Sequence, residues 1–556
     1  MNTTGRSARI SWLALLCFAQ PALAQVPRDT ASGYPIDDAA VRASCAGCHA
    51  ADSTGRMSRI SWQRKTPEGW ELTIRRMAAL NGARFEPEAA RAVLKYLSTQ
   101  QGLAPEELRP GRFEVERRMI DYAYPGDRRT EDTCRACHSM GRVITQRRTR
   151  EEWSLLVAMH RGFYPGVDAQ GFRRGGPPPA GGDATHPMDA AIRHLATAFP
   201  LVTPEWTAWS ATMRPPRIEG TWAMSGTEPG RGAFFGHMTI ARSGLADDEF
   251  TTTARYTYVN GATTVTRDGR AVVYTGHQWR GRSSASGADE PWREVMMVEP
   301  GWASLSGRWY RGDYDEFGMD VALMRAGNDV VLAGMFPTAL RQGASGQEVR
   351  IYGSNLQTAA VDAIDFGPGV HVERVVSASP EVLTLSLRTD ASATIGRRDL
   401  FLAGAALRGA AVVYDTISRI RITPLAGMAR VGGIVFPKQY QQFDVVAYHD
   451  GADRKPDTAD DLELGPVAVS WSMEEYGVTY DDDDLQFVGQ LDQRGLFTPA
   501  EDGPNPKRSG ERNNIGDVWV VATHAPQRPG ARPLRARAHL LVTVPLYMRW
   551  DPWRMN

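Results

Sequence analysis

The chain has 556 residues, 42% hydrophobic and 23% charged, with 64 basic against 64 acidic side chains. At roughly 100–200 residues per domain, this is a folded protein of several domains and not a disordered one. The balanced charge excludes phosphate-driven nucleic-acid or membrane-surface binding, and no apolar run approaches the roughly 20 residues of a membrane-spanning helix.

In chain order, residues 1–24 come first and have the pattern of a secretory leader. Arg6 and Arg9 supply a positive start, residues 10–18 an apolar stretch, and Ala22-Leu23-Ala24 a small-residue cleavage site before Gln25. Export to an oxidising compartment such as a bacterial periplasm is the expectation.

Cys17 would leave with that leader. The other four cysteines form two copies of one pattern, Cys45-Ala46-Gly47-Cys48-His49 and Cys134-Arg135-Ala136-Cys137-His138. C-x-x-C-H is the attachment motif of c-type haem. Two thiols add to the haem vinyl groups, whose separation the two-residue gap matches, and the following histidine reaches the iron from the proximal side. A zinc site would use paired C-x-x-C motifs without needing histidine after both. An isolated C-x-x-C pair is usually a redox motif. Two haem motifs in an exported chain with no other mature cysteine predict two covalently bound haem c groups.

An internal repeat nominates the sixth ligands. Gln63-Arg64-Lys65-Thr66-Pro67-Glu68-Gly69-Trp70 is echoed by Gln146-Arg147-Arg148-Thr149-Arg150-Glu151-Glu152-Trp153. Thr66 and Thr149 have the character of helix N-caps, each followed by a carboxylate. Seven residues past each Trp, the copies carry Met77 and His160. Met77 follows His49 by 28 residues and His160 follows His138 by 22, room enough to cross to the distal face. The expected ligand sets are His49 with Met77 and His138 with His160. Met57 is the rival for the first iron; His186 and His194 are the rivals for the second. Met140 is too close to His138 to reach the far face. Thioether ligation favours reduced iron, so the first haem should have the higher potential. Residues 87–97 and 187–199 are expected to be closing helices with Pro near the first turn, and residues 175–182 an inserted Gly/Pro loop.

Past about Arg217 the pattern becomes β. Residues 251–259 and 271–279 are strand-like, with Asn260-Gly261 and Asp268-Gly269 as nearby turn dipeptides. The resulting domain boundaries are a leader over 1–24, a helical dihaem cytochrome c domain over 25–217 and an antiparallel β-barrel over 218–326. An immunoglobulin-like sandwich over 327–423 and a C-terminal β-sandwich over 424–556 complete the chain. The fold class is thus multidomain, α followed by all-β. No nucleophile elbow, P-loop or dinucleotide fingerprint occurs in the β part. Asp450, Asp453, Asp457, Asp460 and Asp461 make an acidic loop and residues 481–484 a second acidic run; their spacing does not match an EF-hand.

With these features assembled, the chain resembles the α subunit of quinohaemoprotein amine dehydrogenase. The resemblance rests on the leader, two C-x-x-C-H motifs 89 residues apart, the segments 66–77 and 148–162, and the β-domains behind them. It implies a dihaem electron-transfer subunit of a heterotrimer with a β-propeller subunit and a small subunit. In that family the small subunit carries a cysteine tryptophylquinone that oxidises primary amines. Electrons would leave through the haems to a soluble blue-copper protein or cytochrome c, and no catalytic residue is expected on this chain. Two other classes compete: a free-standing dihaem electron carrier and a dihaem peroxidase. The peroxidase needs an iron whose distal ligand departs, whereas both irons here have an internal candidate.

Overall fold

The computed structural model describes residues 33–112, 124, 126–134, 138–164, 166–167, 185–261, 263–285, 291–311, 317–358, 361–477, 482–525 and 530–545. The leader with Cys17, the second-motif Cys137, the 175–182 stretch and Asp481 lie outside the described residues.

The N-terminal part is helical and built twice. The first half contains α1 (Ala39–Cys45), β1 (Gln63–Lys65), α2 (Pro67–Asn81), α3 (Pro87–Gln100) and α4 (Pro105–Leu108). The second contains α5 (Arg128–Cys134), α6 (Gly141–Ile144), β2 (Gln146–Arg148), α7 (Arg150–Phe163) and α8 (Pro187–Ala198), and α9 (Pro204–Thr212) follows. The repeat motif explains the two long helices. The Thr66 hydroxyl accepts from Gly69 N at 3.2 Å, and Thr149 from Glu152 N at 3.3 Å, so each threonine occupies an orphan N–H at a helix start. Helix α2 stops at Gly82, whose φ of +70° is the left-handed cap geometry that glycine adopts without a Cβ clash. Apolar residues at helical spacing then face inward. Trp70 and Ile74 on α2 meet Val93 and Leu97 on α3; Trp153 and Val157 on α7 meet Ile192 and Leu195 on α8.

Strands β1 and β2 join the halves. They pair antiparallel with Arg64 opposite Arg147, its own repeat equivalent. The backbone bonds Thr66 N to Thr145 O (3.4 Å) and Thr149 N to Trp62 O (3.3 Å) continue this ladder symmetrically. Pairing of equivalent strands in opposite directions is what a local twofold axis requires.

The next unit is a closed eight-stranded barrel of β3 (Gly220–Glu228), β4 (Gly232–Arg242), β5 (Glu249–Tyr258), β6 (Thr264–Tyr274), β7 (Gln278–Ala285), β8 (Trp292–Val298), β9 (Ser304–Arg311) and β10 (Phe317–Arg325). Its strands alternate in burial, and the interior holds Trp222, Trp279, Trp292 and Trp309, enough to fill a barrel of this size. One expectation changes here. Asp268-Gly269 is inside β6, not at a turn, and the 271–279 run is divided by a turn at Thr275-Gly276 (φ +52° and +73°). The reason is packing. A Cβ at Gly269 would come within 2.7 Å of the Thr252 hydroxyl and 2.8 Å of Arg282 O, so glycine serves close strand approach there.

Two sandwiches follow, each with the same entry. Strand β11 (Val331–Phe336) lies in one sheet; after the cis Phe336-Pro337 bond, β12 (Ala339–Arg341) crosses to the other and pairs parallel with the strand Ala405–Tyr414. In the last unit Arg419–Thr423 and Ala426–Arg430 divide in the same way at cis Thr423-Pro424, the latter pairing parallel with Leu534–Thr543. Among the described residues the other strand pairs of both sandwiches are antiparallel; at these edges proline has no N–H to continue the first ladder. Two arginines partly offset the acidic loop: Arg419 pairs with Asp450 and Asp461, and Arg421 with Asp457. Asp460 accepts from the backbone of Ala452 (2.6 Å) and Asp453 (3.2 Å).

Candidate haem-binding site

The first cysteine of each C-x-x-C-H motif ends a short helix, and the two helices share a design. Asp38 caps α1 by accepting from Val41 N at 2.9 Å, and Asp127 accepts from Thr130 N at 2.9 Å at the start of α5. An aspartate seven positions before the first cysteine is thus a repeat signal that the motif comparison passed over. Cys45 is half-buried, Cys48 is exposed, and His49 N bonds back to Cys45 O at 2.9 Å. Burial, reinforced by the nearby Cys48, pushes the Cys45 thiol up to about 11. Cys134 ends α5 and is half-buried.

The structure brings His138 and His160 together. Their ring centroids are 6.4 Å apart. Two metal–imidazole bonds of about 2.0–2.1 Å, plus about 1 Å from each nitrogen to its ring centre, span about 6 Å. The separation thus leaves room for one metal ion between the rings, which are tilted by 51°. His138 Nδ1 donates to Ser139 O at 2.9 Å, and His160 Nδ1 donates to Leu156 O at 2.8 Å. His49 Nδ1 likewise donates to Ser58 O at 2.9 Å. A carbonyl can only accept, so each neutral ring carries its proton on Nδ1 and keeps the Nε2 lone pair for a ligand. Burial holds His138 down at about 4 and also lowers His160, which maintains the neutral, ligating form.

His49 and Met77 show no direct contact among the described residues. Met77 is half-buried on α2, at the position that His160 occupies on α7. Two residues away, Arg75 is paired with Glu71 through Nη2, and its Nε and Nη1 are buried without a hydrogen-bond partner among the described residues. Met57 is fully buried in the apolar cluster with Ile36, Val41 and Trp70. It stands in a stretch that the second half shortens: Gln63 follows His49 by 14 residues, Gln146 follows His138 by 8. Met140 is packed in the second apolar cluster. The rival histidines have other occupations. His186 caps α8 by accepting from Met188 N at 3.2 Å, and His194 Nε2 bonds the Tyr124 hydroxyl at 2.5 Å.

Trp70 and Trp153 prove to be anchors. Each indole N–H donates to the carbonyl that ends the closing helix, Gln101 O at 3.0 Å and Phe199 O at 3.2 Å. Over each indole lies the last strand residue, Lys65 at 4.9 Å and Arg148 at 5.7 Å. Between the halves, buried Glu107 receives both Arg64 nitrogens (2.8 and 2.9 Å) and Arg147 (3.1 Å). Burial alone would raise the Glu107 carboxyl, but the Arg64 bonds and the two guanidinium charges prevail and hold it at about 2.

Four family models match the chain. Residues 36–176 match "Quinohemoprotein amine dehydrogenase A, alpha subunit, haem binding", and residues 215–326, 329–415 and 420–554 match domains II, III and IV of the same alpha subunit. The chain belongs to the quinohemoprotein amine dehydrogenase alpha-subunit family. It is therefore a haem-binding subunit of an oxidoreductase complex, and the matched haem region contains every ligand candidate named above except the rivals His186 and His194. No curated protein is similar enough to count as a match. Among solved structures, a redesigned β-barrel is 13% identical, covering 20% of this chain and 92% of that one, with a TM-score of 0.18. Human protocadherin-24 EC1-2 is 12% identical over 39% of this chain and 99% of that one, with a TM-score of 0.15. Overlaps this small leave the family models to carry the assignment.

Proposed function

We propose that this alpha subunit is the dihaem c electron-transfer arm of an exported, periplasmic amine dehydrogenase. Cys45, Cys48 and His49 hold one haem, with Met77 as sixth ligand. Cys134, Cys137 and His138 hold the other, with His160. The observation that carries the reading is the 6.4 Å His138–His160 pair with both Nδ1 atoms tied back to carbonyls.

When bound, haem iron supplies one-electron redox chemistry. The chain's contribution is to fix two imidazoles in the ligating tautomer, wall off water with the Trp153 and Val157 face of α7, and keep both pockets in register through the β1–β2 ribbon. Amine oxidation yields electrons in pairs, so two one-electron sites in one rigid domain suit stepwise release. The amine chemistry belongs to a small partner subunit bearing cysteine tryptophylquinone, beside a β-propeller subunit. The acceptor is a soluble blue-copper protein or cytochrome c. Supporting the division of labour, the chain has no cysteine outside its two motifs and the leader.

The test is purification from the native host under mild conditions, with mass spectrometry of every co-eluting chain and a haem assay. Two haems per chain, a propeller-sized partner, a small cross-linked partner and amine-dependent haem reduction are expected. A lone chain whose haems amines cannot reduce would favour the free-standing carrier.

A further inference from the structure

A second charged cluster lies where the halves meet, and the described residues do not balance it. Arg59, Lys65, Arg76 and Arg148 surround the single carboxylate of Glu152. Arg59 Nε takes both Glu152 oxygens, at 2.8 and 3.0 Å, and Arg148 Nη1 is 3.5 Å from the same group. Lys65 is buried, and among the described residues its Nζ donates only to the Thr73 hydroxyl, at 2.6 Å; Arg76 Nη2 reaches that same oxygen at 3.5 Å. Neither cation has a carboxylate within ion-pair distance among the described residues. Buried charge without a counter-charge costs several kcal/mol per ion, so such a cluster suits an anion that the described residues do not supply.

The place of the cluster identifies that anion. Arg76 and Arg148 are the charges acting on His160, whose ring centroid is 5.8 Å from that of Tyr164, and Arg76 also acts on Tyr164. Arg76 on α2 of the first half and Arg148 on β2 of the second thus both lie near His160, and Lys65 lies near both of them. Haem carries anionic groups at one edge only, its propionate carboxylates. We propose that Lys65, Arg76 and Arg148 form the seat of a propionate of the haem held by His138 and His160. The symmetric contrast supports this. The neighbouring Arg64–Glu107–Arg147 cluster is closed by its own carboxylate and by Thr203, Leu201 O and Gly102 O, whereas this one is open. Burial, then the Arg148 and Arg76 charges, push the Lys65 ammonium well below its ordinary value, as expected of a cation lacking its counter-charge.

The inference rests on the dihaem reading, and the experiment separates the two. The haem content of the wild-type holoprotein is measured first; a ratio other than two per chain overturns the dihaem reading itself. Lys65→Met and Arg76→Gln are then compared with wild type by spectroelectrochemical titration, with Lys65→Arg as the conservative control. Loss of a cation beside a propionate disfavours the reduced, less positive haem. The bis-histidine haem should therefore titrate at a more negative potential in both variants and recover in Lys65→Arg. In protein carrying carboxyl-labelled haem, the propionate band of the reduced-minus-oxidised infrared spectrum should also move. Haem-replete variants with unchanged potentials and an unmoved band, or a shift confined to the other haem, would overturn the proposal. Arg76 is only partly buried, so its variant keeps the test informative if Lys65→Met does not fold.

Discussion

His49, His138 and His160 each place Nδ1 against a backbone carbonyl, at 2.9, 2.9 and 2.8 Å. That bond selects the tautomer and aims Nε2, which a residue type alone could not specify. With His160 as the sixth ligand, His160→Ala leaves one iron five-coordinate or water-bound, and a high-spin component should appear in the electronic and EPR spectra. A wholly low-spin spectrum would reject the assignment. Met77→Ala should lower the potential of the other haem while its thioether attachment survives; an unchanged redox titration would return the choice to Met57. Glu107 sets a pH prediction. Its carboxyl is depressed to about 2 in the fold, against about 4.3 for a free glutamate. Its contribution to stability is therefore complete above about pH 4.3 and fades as pH falls towards about 2. Glu107→Gln leaves Arg64 and Arg147 buried without their carboxylate, and should cost about 3–5 kcal/mol in denaturant titration near neutral pH. Below about pH 2 the variant and the wild type should converge.

At the scale of elements, the repeat is a set of reused solutions. A threonine cap starts each of α2 and α7, an indole pins the helix to the end of the closing helix, and a cation covers the indole. Met77 and His160 were legible as counterparts because both are counted from an anchored Trp. The Asp38 and Asp127 caps were legible in principle, yet six residues fewer between motif and ribbon in the second half put them out of alignment with the Thr–Trp segment. Thr149→Ala should cost about 1 kcal/mol by loss of its cap bond, read as a lower denaturation midpoint with unchanged slope. The Asp268-Gly269 expectation failed at this scale. A dipeptide that favours turns also suits a strand where the neighbouring backbone comes close, and only the partner strands distinguish the cases.

Across the whole molecule, the helical part is tied to the barrel by polar contacts. Lys95 meets Asp248 and Glu249 at 2.7 Å each, Arg280 pairs with Glu68, and Trp209 donates to Thr275 O at 2.9 Å. Barrel and first sandwich meet through Phe235 and Tyr352, stacked at 3.7 Å and 2°. A double-mutant cycle of Phe235→Ala and Tyr352→Ala should give a coupling of about 0.5–1.5 kcal/mol; additive effects would mean that the stack does not hold the two units together. The β-units carry no haem-ligand motif, which fits a role as scaffold in a subunit of a larger enzyme.

The sequence by itself indicated a haem-binding subunit of an amine dehydrogenase complex and the order of its parts, helical first and β after. Covalent motifs such as C-x-x-C-H, caps, and helical or alternating periodicity are local, so they survive without knowledge of the fold. The tertiary structure alone decided which side chains meet. Arg64 faces Arg147 across a ribbon and shares Glu107 with it, and His138 faces His160. Lys65, Arg76 and Arg148 gather around Glu152. Such encounters join residues tens of positions apart, and they are set by the local twofold axis and the packing of α2 against α3 and α7 against α8. No short-range pattern records that geometry.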